Sequence, residues 1–454
     1  MTLKQTLANI DPSREMSFRF PKVLIVGTPL NQTSGSSITV SSLFHEWPAE
    51  RLAVIHNASH GNDPGRAKQF RLRMEMVLPW MKRGAKWQTR EEILSVPRSS
   101  LKGKNTHPRH FSLHRDVFRR LVEYLGIAAL VRQFPLTPDL IDFVTEFRPD
   151  VLYTQLGDIP VAVLLQHLAT HFNVPYVVHI MDDYPSTLYR DGVFAENVRR
   201  KMQSQLMQIF GQAATCMGIC QAMCDEYSLR YGREFIPFHN TVDLSIWQGE
   251  TVRVTQEKSS FNLAYSGRIG VSCLTSIRET CEVIENCNNP DIAVTFDIYV
   301  NNIDQALRTA PFLNQAHPSI RVKEAPKTPG AIASLLRAAD VLVLPIDFDR
   351  DSIEYIRFSL PTKVPAYMAT GVPVLVYGPP GVASVKYAKT EGWAHVIEER
   401  SSEALKQGIL RLCVDKQLRA LLSQRARRLA ALKHDARQVR EQFREAIVSS
   451  VETK

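Results

Sequence analysis

Short apolar runs alternate with amphipathic segments along most of this chain. The first run, residues 22–27, is rich in β-branched residues, ends at Gly27 and is followed by a loop of small residues. Such a run is typical of a buried strand. A helix over about residues 38–44 and a strand over residues 52–55 are predicted next. Strand, loop, helix and strand in this order form the repeating unit of a parallel α/β sheet.

The alternation predicts two successive α/β domains, residues 22–242 and 261–425, after a polar lead-in at 1–21. A polar segment, residues 243–260, is predicted as the linker, and residues 426–454 as a charged C-terminal helix. Further strands are predicted at about 150–154, 174–180, 215–219, 235–240, 261–265, 294–300, 320–322, 341–345, 374–377 and 395–397. Helices are predicted at about 136–146, 159–172, 195–210, 221–231, 275–286, 330–338, 363–369 and 402–413. Open parallel sheets of this kind bind ligands beyond the carboxyl ends of their strands.

Composition narrows the class of protein. The chain has 454 residues, of which 44% are hydrophobic and 22% charged, as in ordinary globular proteins. Its net charge of +9 favours anionic partners without choosing among phosphate groups, nucleic acid and an anionic membrane surface. Seven scattered cysteines are not a disulfide framework, and neither a signal peptide nor a spanning helix is apparent. We therefore expect a cytoplasmic protein, with peripheral contact to the inner membrane face left open.

A basic stretch, residues 66–115, departs from the α/β pattern within an insertion at about 57–135. It holds thirteen basic and only three acidic residues, with aromatic residues between them. An anionic membrane surface, a phosphorylated acceptor and a solvated loop are all compatible with it, whereas nucleic acid is disfavoured because nothing else supports it. The residues best suited to a membrane surface are Trp80, Met81, Lys82, Arg83 and Trp87.

The segment 359–373 carries the strongest chemical signal. Ser359, Thr362 and Lys363 lie where a loop leads into a predicted helix that Gly371 and Pro373 terminate. The N-terminus of a helix offers free N–H groups and the positive end of its dipole, so these side chains form a candidate phosphate site. A capped helix that binds no ligand is the alternative interpretation.

The sequence Pro-Thr-Lys, followed by Tyr-Met-Ala and Gly-Val-Pro-Val, resembles the donor-binding segment of retaining GT-B glycosyltransferases, those of glycosyltransferase family 4 in particular. Further similar segments lie at 223–232, 240–243, 264–268, 335–345 and 435–443. The resemblance covers about residues 22–447 except 57–135. It implies a GT-B fold of class α/β, in which two Rossmann-like parallel α/β/α domains face a central cleft and a C-terminal helix returns to the N-terminal domain.

The resemblance also implies roles for individual residues. A nucleotide-diphosphate sugar would be bound as the donor substrate, without a cofactor or metal. Arg268 and Lys363 would neutralise its diphosphate, and His179 or Asp183 would orient the acceptor hydroxyl. The donor-binding residues would be Gly35, Ser36, Gly267, Arg268, Pro345, Glu354, Ser359, Thr362 and Lys363.

Two departures from the family pattern concern the donor. The family carries two glutamates where this chain has Phe358 and Ala366, and Glu354 is the nearest replacement for the first. The lysine expected soon after the turn at Gly267 is also missing.

His179 and Asp183 follow a predicted strand, and each has a structural alternative. His179 is equally interpretable as a core histidine, and Asp183 as a helix cap. Cys216, Cys220 and Cys224 match no common metal motif and are predicted to be small buried apolar residues.

The expected function is transfer of a sugar to an acceptor hydroxyl, with retention, in polysaccharide or glycolipid synthesis. The acceptor stays open between a lipid-linked and a saccharide molecule. A non-catalytic GT-B-like nucleotide-binding or scaffold protein and a GT-B-like sugar-nucleotide epimerase are the alternatives.

Overall fold

The structure is a computed structural model that describes residues 20–31, 34–58, 61–76, 85–86, 125, 132–190, 192–249, 259–287, 292–315 and 317–452. The chain divides into two compact units. The first comprises Met1–Pro237 together with Gln442–Lys454, and the second comprises Phe238–Glu441.

A seven-stranded parallel sheet forms the centre of the first unit, and a small antiparallel sheet of three strands accompanies it. The strands are β1 (Val23–Val26), β2 (Leu52–His56), β3 (Lys68–Arg71), β4 (Glu75–Met76), β5 (Ala85–Lys86), β6 (Arg132–Gln133), β7 (Val151–Gln155), β8 (Tyr176–Ile180), β9 (Thr215–Gly218) and β10 (Phe235–Pro237). The larger sheet has the order β10-β9-β8-β7-β1-β2-β3, and the smaller one β5-β4-β6. Strands β1, β2 and β8 are buried along their whole length, as expected for a sheet covered by helices on both faces.

Side-chain caps fix where several helices of the first unit begin. The helices are α1 (Gly35–Leu43), α2 (Pro138–Phe147), α3 (Ile159–Phe172), α4 (Tyr184–Thr187), α5 (Ala195–Gln212) and α6 (Gln221–Tyr231). Ser34, Thr137 and Asp158 accept hydrogen bonds from backbone N–H groups in the first turns of α1, α2 and α3. The cap at Ser34 explains why α1 starts three residues before the predicted position.

The parallel sheet continues into the predicted insertion at about 57–135, where the sequence suggested that the α/β pattern is interrupted. Residues Lys68–Arg71 form β3, which pairs in parallel with β2, and Leu72 is buried beside them. The basic side chains of this strand are exposed at the sheet edge, which hides its strand character from a hydrophobic pattern. Residues 77–84 and 87–115 of the basic stretch lie outside the described residues, together with the membrane contact expected of Trp80 to Trp87.

The second unit contains six parallel strands. They are β11 (Ser260–Ser266), β12 (Ala293–Val300), β13 (Ile320–Glu324), β14 (Val341–Pro345), β15 (Val374–Tyr377) and β16 (His395–Ile397), in the order β13-β12-β11-β14-β15-β16. Strand β11 is central, and the chain first builds one side of the sheet and then the other. The switch point therefore lies between β11 and β14, where doubly wound sheets bind ligands.

The helices of the second unit follow its strands closely. They are α7 (Leu244–Trp247), α8 (Leu274–Glu285), α9 (Ile303–Thr309), α10 (Pro329–Arg337), α11 (Arg350–Ile356), α12 (Lys363–Thr370), α13 (Ala383–Glu391), α14 (Ser402–Val414), α15 (Lys416–Lys433) and α16 (Ala436–Glu452). Short 3₁₀ helices occur at Ala49–Arg51 in the first unit and at Pro311–Asn314 in the second. Helix α7 lies in the predicted linker, of which residues 250–258 are outside the described part.

The C-terminal region consists of two helices rather than one, because the chain breaks at His434 between α15 and α16. The end of α16 belongs to the first unit, so the expected return of the C-terminal helix is confirmed. Phe443 packs edge-on against Phe44 and Tyr153, with ring centroids 5.0 and 5.9 Å away. None of the described helices is both long enough and apolar enough to span a membrane.

The end of α12 provides a test of the fold. Gly371 has φ of 72°, and a Cβ there would collide with Arg427, whose guanidinium donates to the backbone O of Thr370 (3.3 Å). We expect Gly371→Ala to lower the free energy of unfolding by more than the ~1–2 kcal/mol that a left-handed alanine costs. Chemical denaturation followed by circular dichroism measures this loss.

Gly392→Ala is the matched control in the same unit. Gly392 also ends a helix, α13, with φ of 63°, but its added Cβ would meet only the terminal atoms of the exposed Arg425 side chain. In this variant the free energy of unfolding should fall only by the ~1–2 kcal/mol that the left-handed backbone conformation costs an alanine. Equal losses in the two variants would show that the Arg427 contact is not the constraint.

Candidate functional site

Three segments of the second unit meet at the switch point of its sheet. They are the turn after β11, residues 266–268, the start of α12, and the segment that follows β14. Loops at such a point carry ligand-binding groups because the connections that leave the two adjacent strands run to opposite sides of the sheet and leave a crevice between them. Most of the donor-binding residues predicted from the sequence lie on these segments.

Lys363 is the first residue of α12 and points at the turn after β11. Its partly buried ammonium donates a hydrogen bond of 2.8 Å to Oη of Tyr265 and lies 4.1 Å from the centroid of that ring. Burial lowers the pKa of Lys363 to about 8, and the positive charge of Arg268 acts in the same direction. The ammonium is therefore a cation without a carboxylate partner among the described residues.

Gly267 gives the ammonium its space. With φ of 153° it has a backbone conformation that favours glycine, and a Cβ there would lie 2.6 Å from Nζ of Lys363. Any larger residue at this position would have to displace the ammonium. Lys363 thus approaches the backbone of the turn closely, so that an anion bound to the turn would also contact the lysine.

Two buried tyrosines hold the turn in shape. Oη of Tyr265 donates to the backbone O of Arg268 at 2.8 Å, and Oη of Tyr367 accepts from the backbone N of Ser266 at 2.9 Å. Burial raises the pKa of Tyr265 well above its ordinary value, so its hydroxyl stays protonated and able to donate. Arg268 itself is exposed, and its positive charge is close enough to lower the pKa of Lys363.

The residues that precede α12 are held through hydrogen bonds of their backbone N and O atoms. Ser359 is buried, and its backbone N donates to the backbone O of Ile356 at 2.9 Å. Thr362 makes no side-chain capping bond, while its backbone O accepts from Nδ2 of Asn240 at 3.1 Å. Lys363 is in the first turn of α12, so the positive end of the helix dipole and the charge of the lysine both favour an anion here.

The segment after β14 is structural. Pro345 is the last residue of that strand, and Asp347 accepts a hydrogen bond of 2.7 Å from the backbone N of Ser276, in the first turn of α8. Glu354 forms an ion pair of 2.9 Å with Arg350 on α11. The Glu354 carboxylate, predicted as a replacement at position 358, is thus already bound to an arginine.

Gly35 and Ser36 start α1 of the first unit, directly after β1 and its loop. The hydroxyl of Ser34 accepts from the backbone N of Ser37 at 3.2 Å, and Oγ1 of Thr39 donates to the backbone O of Gly35 at 3.1 Å. The arrangement is a strand, a loop and a capped helix at the switch point of the first sheet. Both predicted residues therefore lie at a helix N-terminus.

His179 lies in the interior of the first unit. Its side chain is fully buried on β8, and Nδ1 is 2.7 Å from Oη of Tyr153. The ring of Tyr153 in turn packs against Phe44 and Phe443. This is the environment of the core histidine that the sequence offered as the alternative to an acceptor-orienting role.

Asp183 is also buried, and its carboxylate accepts four hydrogen bonds. Arg230 donates to both carboxylate oxygens at 2.8 and 3.0 Å, Tyr227 donates at 2.9 Å, and Ser186 donates at 2.8 Å. Burial opposes ionisation of the guanidinium, yet the bonds to Asp183 raise the pKa of Arg230. The geometry is that of a buried structural ion pair that joins α4 to α6.

The cysteines agree with their predicted apolar character only in part. Cys216 and Cys224 are buried and Cys220 is intermediate, and none of the three is in a disulfide bond. Burial raises the pKa of Cys216 to about 11 and that of Cys224 to about 12. Within the described part of the chain, no group of three or more metal-binding side chains converges.

Tyr265, Tyr367 and Asn240 are the residues of this site that the sequence did not single out. All three fall inside or beside the motifs quoted above, but tyrosine and asparagine have no characteristic spacing there. Their contacts join positions about 100 residues apart or more, such as Ser266 with Tyr367 and Asn240 with Thr362. Only the folded chain brings these pairs together.

Searches of protein-family models and of curated proteins find no match. Solved structures with a similar fold do exist. Anabaena Alr3699/HepE in complex with UDP matches with a TM-score of 0.59 at 12% identity, covering 94% of this chain and 99% of that one. Sucrose-phosphate synthase (tll1590) from Thermosynechococcus elongatus matches with a TM-score of 0.57 at 12% identity, over 92% and 96% of the two chains.

WaaG, a glycosyltransferase involved in lipopolysaccharide biosynthesis, matches with a TM-score of 0.54 at 12% identity, over 93% of this chain and 98% of that one. Identities this low establish the fold alone. The matches span nearly the whole of each chain. This chain therefore has the two-domain α/β fold of the GT-B glycosyltransferases.

Proposed function

We propose that this protein is a glycosyltransferase that transfers a sugar from a nucleotide-diphosphate donor to an acceptor hydroxyl. The observation that carries the proposal is the ammonium of Lys363, held against the glycine turn at Gly267 beside the guanidinium of Arg268. Two adjacent cations, a glycine turn and a helix N-terminus together suit a diphosphate. HepE, of similar fold, has been solved with UDP, with UDP and glucose, and with UDP-glucose, which makes UDP the first nucleotide to test.

The chemistry assigned to this site is stabilisation of a leaving group. As the bond from the sugar C1 to the diphosphate oxygen breaks, negative charge grows on that oxygen, and Lys363 and Arg268 neutralise it. The acceptor oxygen bonds to C1, and its proton passes to the departing diphosphate. Because two protein cations already face the phosphates, we propose that the reaction needs no bound metal, and from the family resemblance that it retains the anomeric configuration.

The roles of the other predicted residues divide between the two units. We assign Ser359 and Thr362 to support of the phosphate-facing helix, and, from the family resemblance, Gly35 and Ser36 to donor binding by the first unit. His179 and Asp183 are assigned to structure, because both are buried and bonded inside the first unit.

A nucleotide-binding protein without turnover is the second candidate. It is favoured by the absence of carboxylates at positions 358 and 366 and by the ion pair that binds Glu354 to Arg350. This candidate shares the diphosphate site but not the sugar transfer. Binding of a nucleotide without release of sugar from any offered donor would select it.

The decisive prediction concerns Lys363. A thermal-shift screen with UDP, GDP, ADP, CDP and their glucose or mannose conjugates should show stabilisation of the wild-type protein. Lys363→Met keeps the aliphatic stem over Tyr265 but removes the charge, and should weaken nucleotide binding at least ~tenfold, since a charge-assisted hydrogen bond contributes about 1.5–3 kcal/mol. Isothermal titration calorimetry with the best ligand measures the change.

Lys406→Ala is the control for a general loss of positive charge. Lys406 lies on α14, which packs against the edge strand β16, whereas the turn follows the central strand β11. The variant should bind the nucleotide as the wild-type protein does. If no nucleotide stabilises the wild-type protein, the proposed function is wrong. If Lys363→Met binds as tightly as the wild type, the site assignment is wrong.

Nucleotide affinity should also depend on pH through Lys363. The ligand binds the protonated ammonium, and burial lowers the pKa of Lys363 to about 8, so affinity is full below this value and falls above it. Between about pH 7 and about pH 9 we expect an approximately tenfold loss, because the protonated fraction falls by about that factor. Calorimetry across this range, corrected for buffer ionisation, measures it.

Lys363→Arg separates this effect from titration of the nucleotide. A guanidinium stays charged throughout the range, so the variant should show only the dependence contributed by the ligand. Parallel profiles for the wild type and Lys363→Arg would contradict the lowered pKa.

A further inference from the structure

A chain of hydrogen bonds leads from helix α13 of the second unit to the start of α12. Oη of Tyr387 lies 3.0 Å from Nε2 of His434, and Nδ1 of His434 lies 3.2 Å from Nδ1 of His239. The latter nitrogen is 3.1 Å from the backbone O of Asn240. The side chain of Asn240 then donates to the backbone O of Thr362. We call these four side chains, Tyr387, His434, His239 and Asn240, the His–Asn chain.

The bond directions in the His–Asn chain follow from its fixed acceptors. The backbone O of Asn240 only accepts, so Nδ1 of His239 must carry the hydrogen. The facing Nδ1 of His434 is then an acceptor, and the proton of neutral His434 is on Nε2, where it faces Oη of Tyr387. One pair of neutral tautomers satisfies these three contacts, and the backbone of Lys433 forms a further hydrogen bond with the His239 ring that by itself raises the pKa of His239. A proton added to Nδ1 of His434 would face the N–H of His239 and break the link.

The surroundings keep both imidazoles neutral. Burial lowers the pKa of His239 and lowers that of His434 well below its ordinary value, and the positive charge of Lys433 adds to both effects. Lys433 is itself paired with Glu391 at 2.7 Å, and its ammonium lies 5.7 Å from the centroid of the Tyr387 ring.

The backbone beside the pair is fixed as well. The N of Val242 donates to the O of His434 at 2.9 Å, and the N of Ala436 donates to the O of Val242 at 3.0 Å. The carboxylate of Asp435 accepts from the backbone N of Arg437 at 3.1 Å, which directs it to the start of α16. The imidazole pair thus lies between two chain segments that are bonded to each other.

Asn240 is oriented by its partner. The backbone O of Thr362 only accepts, so the amide must present Nδ2 to it, and Oδ1 is buried without a hydrogen-bond partner among the described residues. Thr362 directly precedes Lys363 at the start of α12. A shift of the Thr362 carbonyl would therefore also move the stem that places the Lys363 ammonium against Gly267.

We propose that Asn240 is a positioning residue, held by the neutral His239–His434 pair, that fixes the start of α12 and so aims Lys363 at the donor diphosphate. The inference rests on the proposed function, because it assigns Asn240 a role only if the site binds a diphosphate. Asn240 does not contact the ligand and acts through the backbone of Thr362.

The first test compares two asparagines that make the same kind of bond. Asn240→Ala removes the donor to Thr362, and should weaken the nucleoside diphosphate identified in the screen of UDP, GDP, ADP and CDP by about tenfold. Asn286→Ala removes an amide that donates to the backbone O of Glu282 at 2.7 Å, at the end of α8, and should leave affinity unchanged. The same calorimetry with the parent nucleoside should show no difference, because only the phosphates meet Lys363.

The second test uses pH, which a merely structural role would not link to binding. Because burial lowers the pKa of His434 well below the ordinary histidine value, protonation of the pair should weaken diphosphate binding in the wild-type protein only as the pH falls well below about 6.5. In His434→Asn, Oδ1 replaces the acceptor Nδ1 and does not take up a proton in this range. This variant should bind as the wild type does at neutral pH and lose less affinity in acid. Titration of the ligand phosphate affects both proteins equally and therefore does not contribute to the difference between them.

The outcomes separate the two proposals. If the wild-type protein binds none of the diphosphates, the proposed function fails. If Lys363→Met loses affinity but folded Asn240→Ala keeps it, the role of Asn240 is overturned and the site stands. Should Asn240→Ala not fold, identical acid profiles for the wild type and His434→Asn would overturn the inference.

Discussion

The close approach of the Lys363 ammonium to the backbone of the turn at Gly267 is the constraint on which the site depends. It favours glycine at 267, because φ there is 153° and an added Cβ would lie 2.6 Å from Nζ, which would then have to move away from the turn. It also places two cations together, which is unfavourable in the empty protein, and burial lowers the pKa of Lys363 to about 8. A bound diphosphate would offset both the repulsion between the two cations and the cost of burying the Lys363 ammonium. The free protein thus carries an electrostatic imbalance that an anion relieves.

Much of the second unit serves to hold this geometry. Tyr265 and Tyr367 fix the turn from within the core, and Asp347 caps the helix that follows it. At the other end of α12, Arg427 fits only because Gly371 lacks a side chain. These contacts come from α8, α12, α15 and the strands between them. The position of a single ammonium is therefore a property of the whole domain, and a defect in any of these supports would reach it.

The sequence predicted the repeating elements well because buried parallel strands are continuous apolar runs; strand Val341–Pro345 was predicted residue for residue. It missed β3, whose basic side chains are exposed, and it placed the start of α1 late because a serine cap interrupts no hydrophobic pattern. At the site it identified Lys363, whose helix is flanked by glycine and proline. It did not identify Tyr265, since nothing local marks a tyrosine that supports a lysine 98 residues away.

The departures from the family pattern acquire a physical meaning in this arrangement. Position 366 carries an alanine on α12, position 358 carries a phenylalanine, and the nearest carboxylate, Glu354, is paired with Arg350. For the proposed nucleotide-sugar donor, affinity at this end of the site would then come from the charge on the phosphates rather than from hydrogen bonds that sugar or ribose hydroxyls donate to carboxylates. Charge does not distinguish one sugar from another. Under the proposed function, selection of the sugar would therefore depend on residues other than these, because the diphosphate is common to all such donors.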